Sequence, residues 1–175
     1  MWPDTQSHPR YTDSYFNLTR EILKEHGDAQ VTYAVFMRRP VTLASKLAID
    51  WLLKVTKDRG VAIKIDALFK EGAWVGAGEP MFYISGSMVA LVDLETVFLQ
   101  KLGAACVAAY NAYHMSIELP EVGFIAMDAR HCAGTEMAEL MAYGASVGSK
   151  KAILKNGAKG FIGCATDATA HYFGM

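Results

Sequence analysis

Two apolar runs in the last third of the chain, VGFIAMDARHCAG at Val122–Gly134 and KGFIGCATDAT at Lys159–Thr169, each break into a polar turn. Between them, Thr135 to Gly148 repeats its apolar residues at helical spacing. The first strand, its loop and the helix make the first half of a βα-repeat, the second strand follows, and in parallel α/β folds ligands collect beyond the carboxyl ends of the strands. The first run delivers Arg130 and His131 to that end, and the second delivers Thr166, Asp167 and Thr169. The pattern predicts parallel neighbouring strands at Val122–Met127 and Lys159–Gly163, joined by a right-handed crossover. Because the sequence stops soon afterwards, it is expected to hold an incomplete barrel, with apolar surface exposed along the second strand and the final helix.

Upstream, Thr12 or Asp13 is placed to cap a helix over Ser14–His26, with Gly27 as its stop. The run QVTYAVFMRR reads as a strand ending at Pro40, and Leu43–Arg59 reads as a helix with Leu47, Trp51, Leu52 and Val55 on one face, closed by Gly60. Val61–Phe69 is a further strand. WVGAG and PMFYISG form two strands joined by a turn at Gly78, Glu79 and Pro80. A single helix is predicted from Met88 to Glu118, ended by Pro120, and its stretch Gly103–Ala112 is so rich in small residues that another backbone should lie close against it. The fold class is α/β: an α+β domain over residues 1–118, then the first βα units of an α/β barrel over 119–175.

The 175 residues are 52% hydrophobic and 20% charged, enough for one substantial core or two small ones. A formal net charge of −1 leaves no basic excess to attract nucleic acid or an anionic membrane. MWPDTQSHPR lacks the apolar core of a signal peptide, and the apolar segment around Met88–Ala112 is interrupted by Asp93, Glu95, Gln100 and Lys101. A soluble, cytoplasmic protein is expected. Cys106, Cys132 and Cys164 have no paired metal spacing and are read as inert thiols, and His8, His26, His114, His131 and His171 are scattered, so no metal site is predicted.

Arginine at the end of a buried parallel strand suits a phosphate or carboxylate, since its planar fork donates two hydrogen bonds and stays charged. Arg130 is the leading candidate, and an ion pair with Asp128 or Glu136 is the plainer reading. Arg38 and Arg39 form a second basic pair, readable as a solvated strand end. Thr166 or Asp167 could face the same pocket as Arg130, or could cap a helix beginning at Ala168. His131 could act as a base or be a structural residue.

Five segments stand together in order: TDSY at Thr12–Tyr15, VFMRRP, GEP followed by LETVFLQKL, MDARHCAG, and GFIGCATDAT. In this arrangement the chain resembles the N-terminal portion of the nicotinate phosphoribosyltransferases, with nicotinamide phosphoribosyltransferases as near relatives and quinolinate phosphoribosyltransferases as more distant ones. The resemblance implies a type II phosphoribosyltransferase fold and a reaction in which the pyridine nitrogen displaces pyrophosphate from C1 of phosphoribosyl pyrophosphate, in NAD biosynthesis. It also implies Mg2+ accompanying phosphoribosyl pyrophosphate, ATP as a coupled substrate, and a homodimer whose site is shared across subunits.

Residue by residue, the resemblance assigns Tyr15 to stacking on the pyridine ring of a neighbouring subunit, and Arg38, with Arg39 beside it, to phosphate contact. It assigns Arg130 to the arginine that closes the family's Phe-Gly-x-Arg segment, although Met127 and Asp128 stand where that segment has phenylalanine and glycine. Asp167 falls where nicotinamide-using relatives carry an acidic group. The family's phosphorylated histidine and glycine-rich phosphate loops have no counterpart in the sequence, which is therefore expected to be a fragment. The alternatives are a non-catalytic binding or assembly module derived from the family, or a nicotinamide or quinolinate phosphoribosyltransferase, the last expected to need more basic residues for a dicarboxylate than the matched positions hold.

Overall fold

The computed structural model describes residues 10–174; His8 and most of the MWPDTQSHPR segment lie outside them. The chain runs α1 (Ser14–His26), β1 (Gln30–Phe36), β2 (Val41–Thr42), α2 (Lys46–Asp58), β3 (Lys64–Ala67), β4 (Trp74–Val75) and β5 (Pro80–Ser87). It continues through α3 (Met88–Leu91), a 3₁₀ turn at Val92–Leu94, α4 (Glu95–Glu118), β6 (Phe124–Ala126), a 3₁₀ turn at Asp128–Arg130, α5 (Thr135–Asn156), β7 (Phe161–Cys164) and α6 (Asp167–Ala170), with a last 3₁₀ turn at His171–Phe173.

An antiparallel sheet in the order β1-β5-β3 forms the first layer. In β1 the residues alternate, with Val31, Tyr33 and Val35 inward and Thr32, Ala34 and Phe36 outward, as a half-buried strand requires. Val35 joins Phe82 and Ile84 of β5, Leu52 and Val55 of α2, and Leu94, Phe98 and Leu102 from the α4 region in one buried cluster. Burial of this kind contributes about 25 cal/mol per Å² of apolar surface and holds the layers together.

Several elements depart from expectation. The first strand stops at Phe36 rather than Arg39, because the Met37 carbonyl turns aside to accept from Gly78 N at 2.8 Å, leaving Arg38 and Arg39 in an exposed bend. WVGAG and PMFYISG are not paired with each other: β4 pairs antiparallel with the two-residue β2, while β5 lies between β1 and β3. Leu43 is extended, its amide bonded to Ala73 O and its carbonyl to Gly72 N, each at 2.8 Å, so α2 begins only at Lys46. The predicted helix over Met88–Glu118 breaks at Val92–Leu94, where the fully buried Asp93 meets Arg20 and Arg59.

The small residues of α4 do receive another backbone. A Cβ on Gly144 of α5 would lie 2.3 Å from Ala105 O, and one on Gly148 would lie 2.0 Å from Ala109 O, so only glycine permits this approach. Gly148 is thus a contact residue and not a helix stop. The helix continues to Asn156 and ends at Gly157, whose φ of 66° places it in the left-handed region that terminates helices.

β6 and β7 are parallel neighbours, with Phe124 opposite Phe161 and Ala126 opposite Cys164, connected through α5. The first of them is shorter than the predicted Val122–Met127. Ile125 and Ile162 are exposed on these strands, as expected for the second strand. The final helix differs, because Tyr172 and Phe173 beside it are half-buried and the Tyr172 ring lies 5.5 Å from that of Tyr143. The architecture is mixed α/β, an antiparallel α+β portion followed by one parallel βαβ unit.

Candidate functional site

The loops after β6 and β7 leave the parallel pair side by side, pinned by the Ala165 amide donating to Ala126 O at 2.9 Å. After β6, the Asp128 carbonyl accepts from His131 N and Cys132 N, both at 3.0 Å, which coils the chain into a tight turn. After β7, the Cys164 thiol donates to Thr166 O at 3.2 Å, and Thr166 stands at the start of α6. Between the two loops and the first turns of α5 lies a cavity of about 240 Å³, walled chiefly by Ala129, Thr135, Glu136, Glu139, Thr166 and Thr169.

Arg130 and Asp167 are exposed, each adjoining a wall residue of this cavity, and His131 is exposed beside Arg130. Among the described residues Arg130 makes no ion pair. The carboxylate of Glu136 instead takes Lys101 of α4, whose side chain is wholly buried and whose ammonium sits 5.5 Å from the centre of the Trp51 ring. Burial pushes the Lys101 pKa down, while the bond to Glu136 and the charge of Glu139 oppose that shift. Glu139 accepts from the Tyr172 hydroxyl at 3.0 Å. Thr166 occupies the N-cap position of α6 without capping by its side chain, which instead bonds the Thr169 hydroxyl at 3.0 Å. Asp167 is in the first turn of that helix.

Tyr15 and Arg38 belong to the other end of the chain's architecture. Tyr15 is exposed on α1, its ring 4.2 Å from that of Phe16. Asp13 precedes the helix but does not cap it, because its carboxylate accepts from the Thr96 hydroxyl at 3.0 Å and so anchors α1 to the start of α4. Next to Thr96, Glu95 shares a cavity of about 350 Å³ with Tyr33, Phe36, Arg38 and Phe98. Burial raises the Glu95 carboxyl above its ordinary pKa, and Asp13 adds to the shift. The four predicted residues therefore fall into two groups, Tyr15 and Arg38 on the N-terminal layer and Arg130 and Asp167 at the strand ends.

The model of the quinolinate phosphoribosyl transferase N-terminal domain matches residues 13–106. The chain belongs to this family. Solved structures share the fold at low identity. A nicotinate-nucleotide pyrophosphorylase from Pyrococcus furiosus superposes with a TM-score of 0.67 at 18% identity, over 95% of this chain and 41% of that one. Human nicotinic acid phosphoribosyltransferase gives 0.66 at 19%, over 91% and 37%. NadC from Streptococcus pyogenes gives 0.59 at 21%, over 82% and 50%. The chain thus spans about half the length, or less, of these structures. No match emerges among curated protein sequences. The family match carries the expected resemblance to its coarser level, the type II phosphoribosyltransferases, and does not single out the nicotinate members.

Sequence reasoning missed Lys101 with Glu136, and Glu95. Their signal was present, since charged residues interrupting a small-residue apolar helix must find partners or a cavity. Among the described residues no helix is long and apolar enough to cross a membrane.

Proposed function

We propose that the chain supplies the N-terminal layer and first barrel strands of a pyridine phosphoribosyltransferase acting in NAD biosynthesis. The reading is supported above all by Arg130, a guanidinium without an ion pair among the described residues, at the carboxyl end of a parallel strand in a fold of this family. In the proposed reaction the pyridine nitrogen lone pair of nicotinate forms a bond to C1 of phosphoribosyl pyrophosphate. The C1–oxygen bond breaks, and its electron pair leaves with pyrophosphate. Arg130 stabilises the growing negative charge, since a guanidinium can donate two hydrogen bonds to a phosphate and stays charged. Tyr15 and Arg38, which stand apart from Arg130, serve the site of a neighbouring subunit in a homodimer, Tyr15 by stacking on the pyridine and Arg38 by a second phosphate contact, and Asp167 lies near the ring substituent. The boundary between residues 118 and 119 separates the two functional portions.

The family match favours a second substrate, quinolinate, as strongly as nicotinate. Mg2+ would arrive with phosphoribosyl pyrophosphate. Among the described residues no group of three His, Cys, Asp or Glu side chains could hold a metal. ATP is proposed from the resemblance alone and has no assigned residue. A cytoplasmic location is proposed on the same basis.

Thermal unfolding with and without phosphoribosyl pyrophosphate tests the reading. A stabilising shift that Arg130→Ala removes supports it, because a ligand binding only the folded state raises the midpoint. No shift in the unaltered chain favours a non-catalytic module. Repeating the titration with nicotinate, nicotinamide and quinolinate ranks the pyridines.

A further inference from the structure

A cavity of about 490 Å³ opens away from the strand ends, between the C-terminal half of α1, the end of α2 and the β5–α3 junction. Its wall carries three cationic side chains, Arg20, Lys24 and Arg59, and one carboxylate, Asp28. Asp28 is already committed: one oxygen accepts from Ala29 N at 2.8 Å and Val89 N at 3.0 Å, and the other accepts from the Ser87 hydroxyl. The Ser87 bond and these amides hold its carboxyl below the usual carboxylate range, so it stays charged but has little left to offer a cation.

Asp93 stands behind this wall, fully buried, and accepts from Arg20 Nη1 at 3.0 Å and from Arg59 Nη1 and Nη2 at 2.8 and 2.7 Å. Two guanidinium groups therefore share one carboxylate. Arg59 spends a further donor bond on Ala90 O at 2.8 Å. The Arg20 Nε–H is buried and has no acceptor among the described residues. A donor left unpaired away from water is costly, and a guanidinium with a vacant edge favours an oxyanion that can take two bonds at once. Lys24 at the rim makes an exposed pair with Glu21 at 2.7 Å, which it can exchange for an inward contact at little loss.

We propose that this cavity binds a tetrahedral oxyanion of the phosphate type, with Arg20 as its principal donor and Lys24 and Arg59 supplying the field. None of these residues belongs to the group assigned to the pyridine reaction, so the site is separate from Arg130.

The test titrates inorganic phosphate at constant ionic strength while recording the Arg20 Nε–H resonance, identified by its loss in Arg20→Gln. A saturable movement of that resonance with phosphate, absent with chloride, is expected. Lys24→Gln should raise the half-saturating concentration by roughly threefold, the effect of one charge-assisted contact at an exposed position, and it keeps the test open should Arg20→Gln fail to fold. Arg130→Ala should leave the titration unchanged. A drift that does not saturate, a response equal to that with chloride, or loss of binding in Arg130→Ala would each overturn the assignment.

Discussion

Tyr143 of α5 donates its hydroxyl hydrogen to Glu71, in the loop between β3 and β4. The same carboxylate accepts from the Ser45 amide and hydroxyl at 3.0 Å, and the Tyr143 oxygen accepts from Lys46 N at 3.1 Å. One acidic side chain thus satisfies the opening turn of α2 and ties it to the helix that carries the barrel strands. Tyr143→Phe should lower stability by about 1–3 kcal/mol, the range for buried polar groups that lose a partner. Urea unfolding of the single and double variants with Glu71→Gln would reveal the coupling, and additive losses would disprove the link.

Gly148→Ala distinguishes helix propensity from close packing. Alanine should gain about 1 kcal/mol in a free helix, yet its Cβ would lie 2.0 Å from Ala109 O, so the substitution should destabilise by about 1–3 kcal/mol net. A midpoint in urea above that of the unaltered chain would refute the packing account.

Alkaline stability should follow Cys106. Burial pushes its thiol up to about 12, whereas an unfolded cysteine ionises near ~8.5. Because the folded state holds the proton longer, the contribution is complete below the unfolded value and is lost as pH rises from there through the folded one, at about 1.4 kcal/mol per pH unit. Cys106→Ala should flatten the stability profile between about pH 8.5 and 10, below the range where unfolded tyrosines ionise. Denaturant titrations across that range are the measurement.

Asp93→Asn should be among the most damaging single changes. It leaves Arg20 and Arg59 without their shared charge partner beside a buried position, and removing one side of such a cluster costs about 3–5 kcal/mol. Recovery of stability on adding Arg20→Met to Asp93→Asn would confirm that charge, and not packing, is at fault.

Asp167→Ser should alter the preference between nicotinate and nicotinamide while leaving affinity for phosphoribosyl pyrophosphate unchanged. It changes an acceptor near the proposed position of the ring substituent and leaves Arg130 in place. Calorimetric titration with both pyridines in the presence of phosphoribosyl pyrophosphate reads the ratio, and an unchanged ratio removes Asp167 from the site.

Local signals in the sequence set α1 to its observed residues and announced the parallel order of β6 and β7, because helical spacing, Gly27 and β-rich runs act over a few neighbours, whereas the expected cap was lost to the contact of Asp13 with Thr96. The pairing of β2 with β4 was illegible, since two-residue strands carry no periodicity and their partners are set by the Leu43–Ala73 and Gly72–Leu43 bonds. The helical spacing read as far as Gly148 falls short of the observed end at Asn156, and the close approach of α4 at Gly148 depends on the position of Ala109, which no local signal carries. At the strand ends, Arg130 could be named from the pattern, but the diversion of Glu136 to Lys101 depends on how α4 meets α5.

The cysteines give the protein a natural labelling scheme. Cys106 is sealed in α4, and its raised pKa keeps it in the poorly reactive thiol form at neutral pH, whereas Cys132, on the loop after β6, and Cys164, the last residue of β7, are partly accessible beside the strand-end cavity. Thiol-directed dyes or spin labels would therefore report the separation of the two strand ends without any engineered attachment point, turning the width of the cavity mouth into a spectroscopic distance.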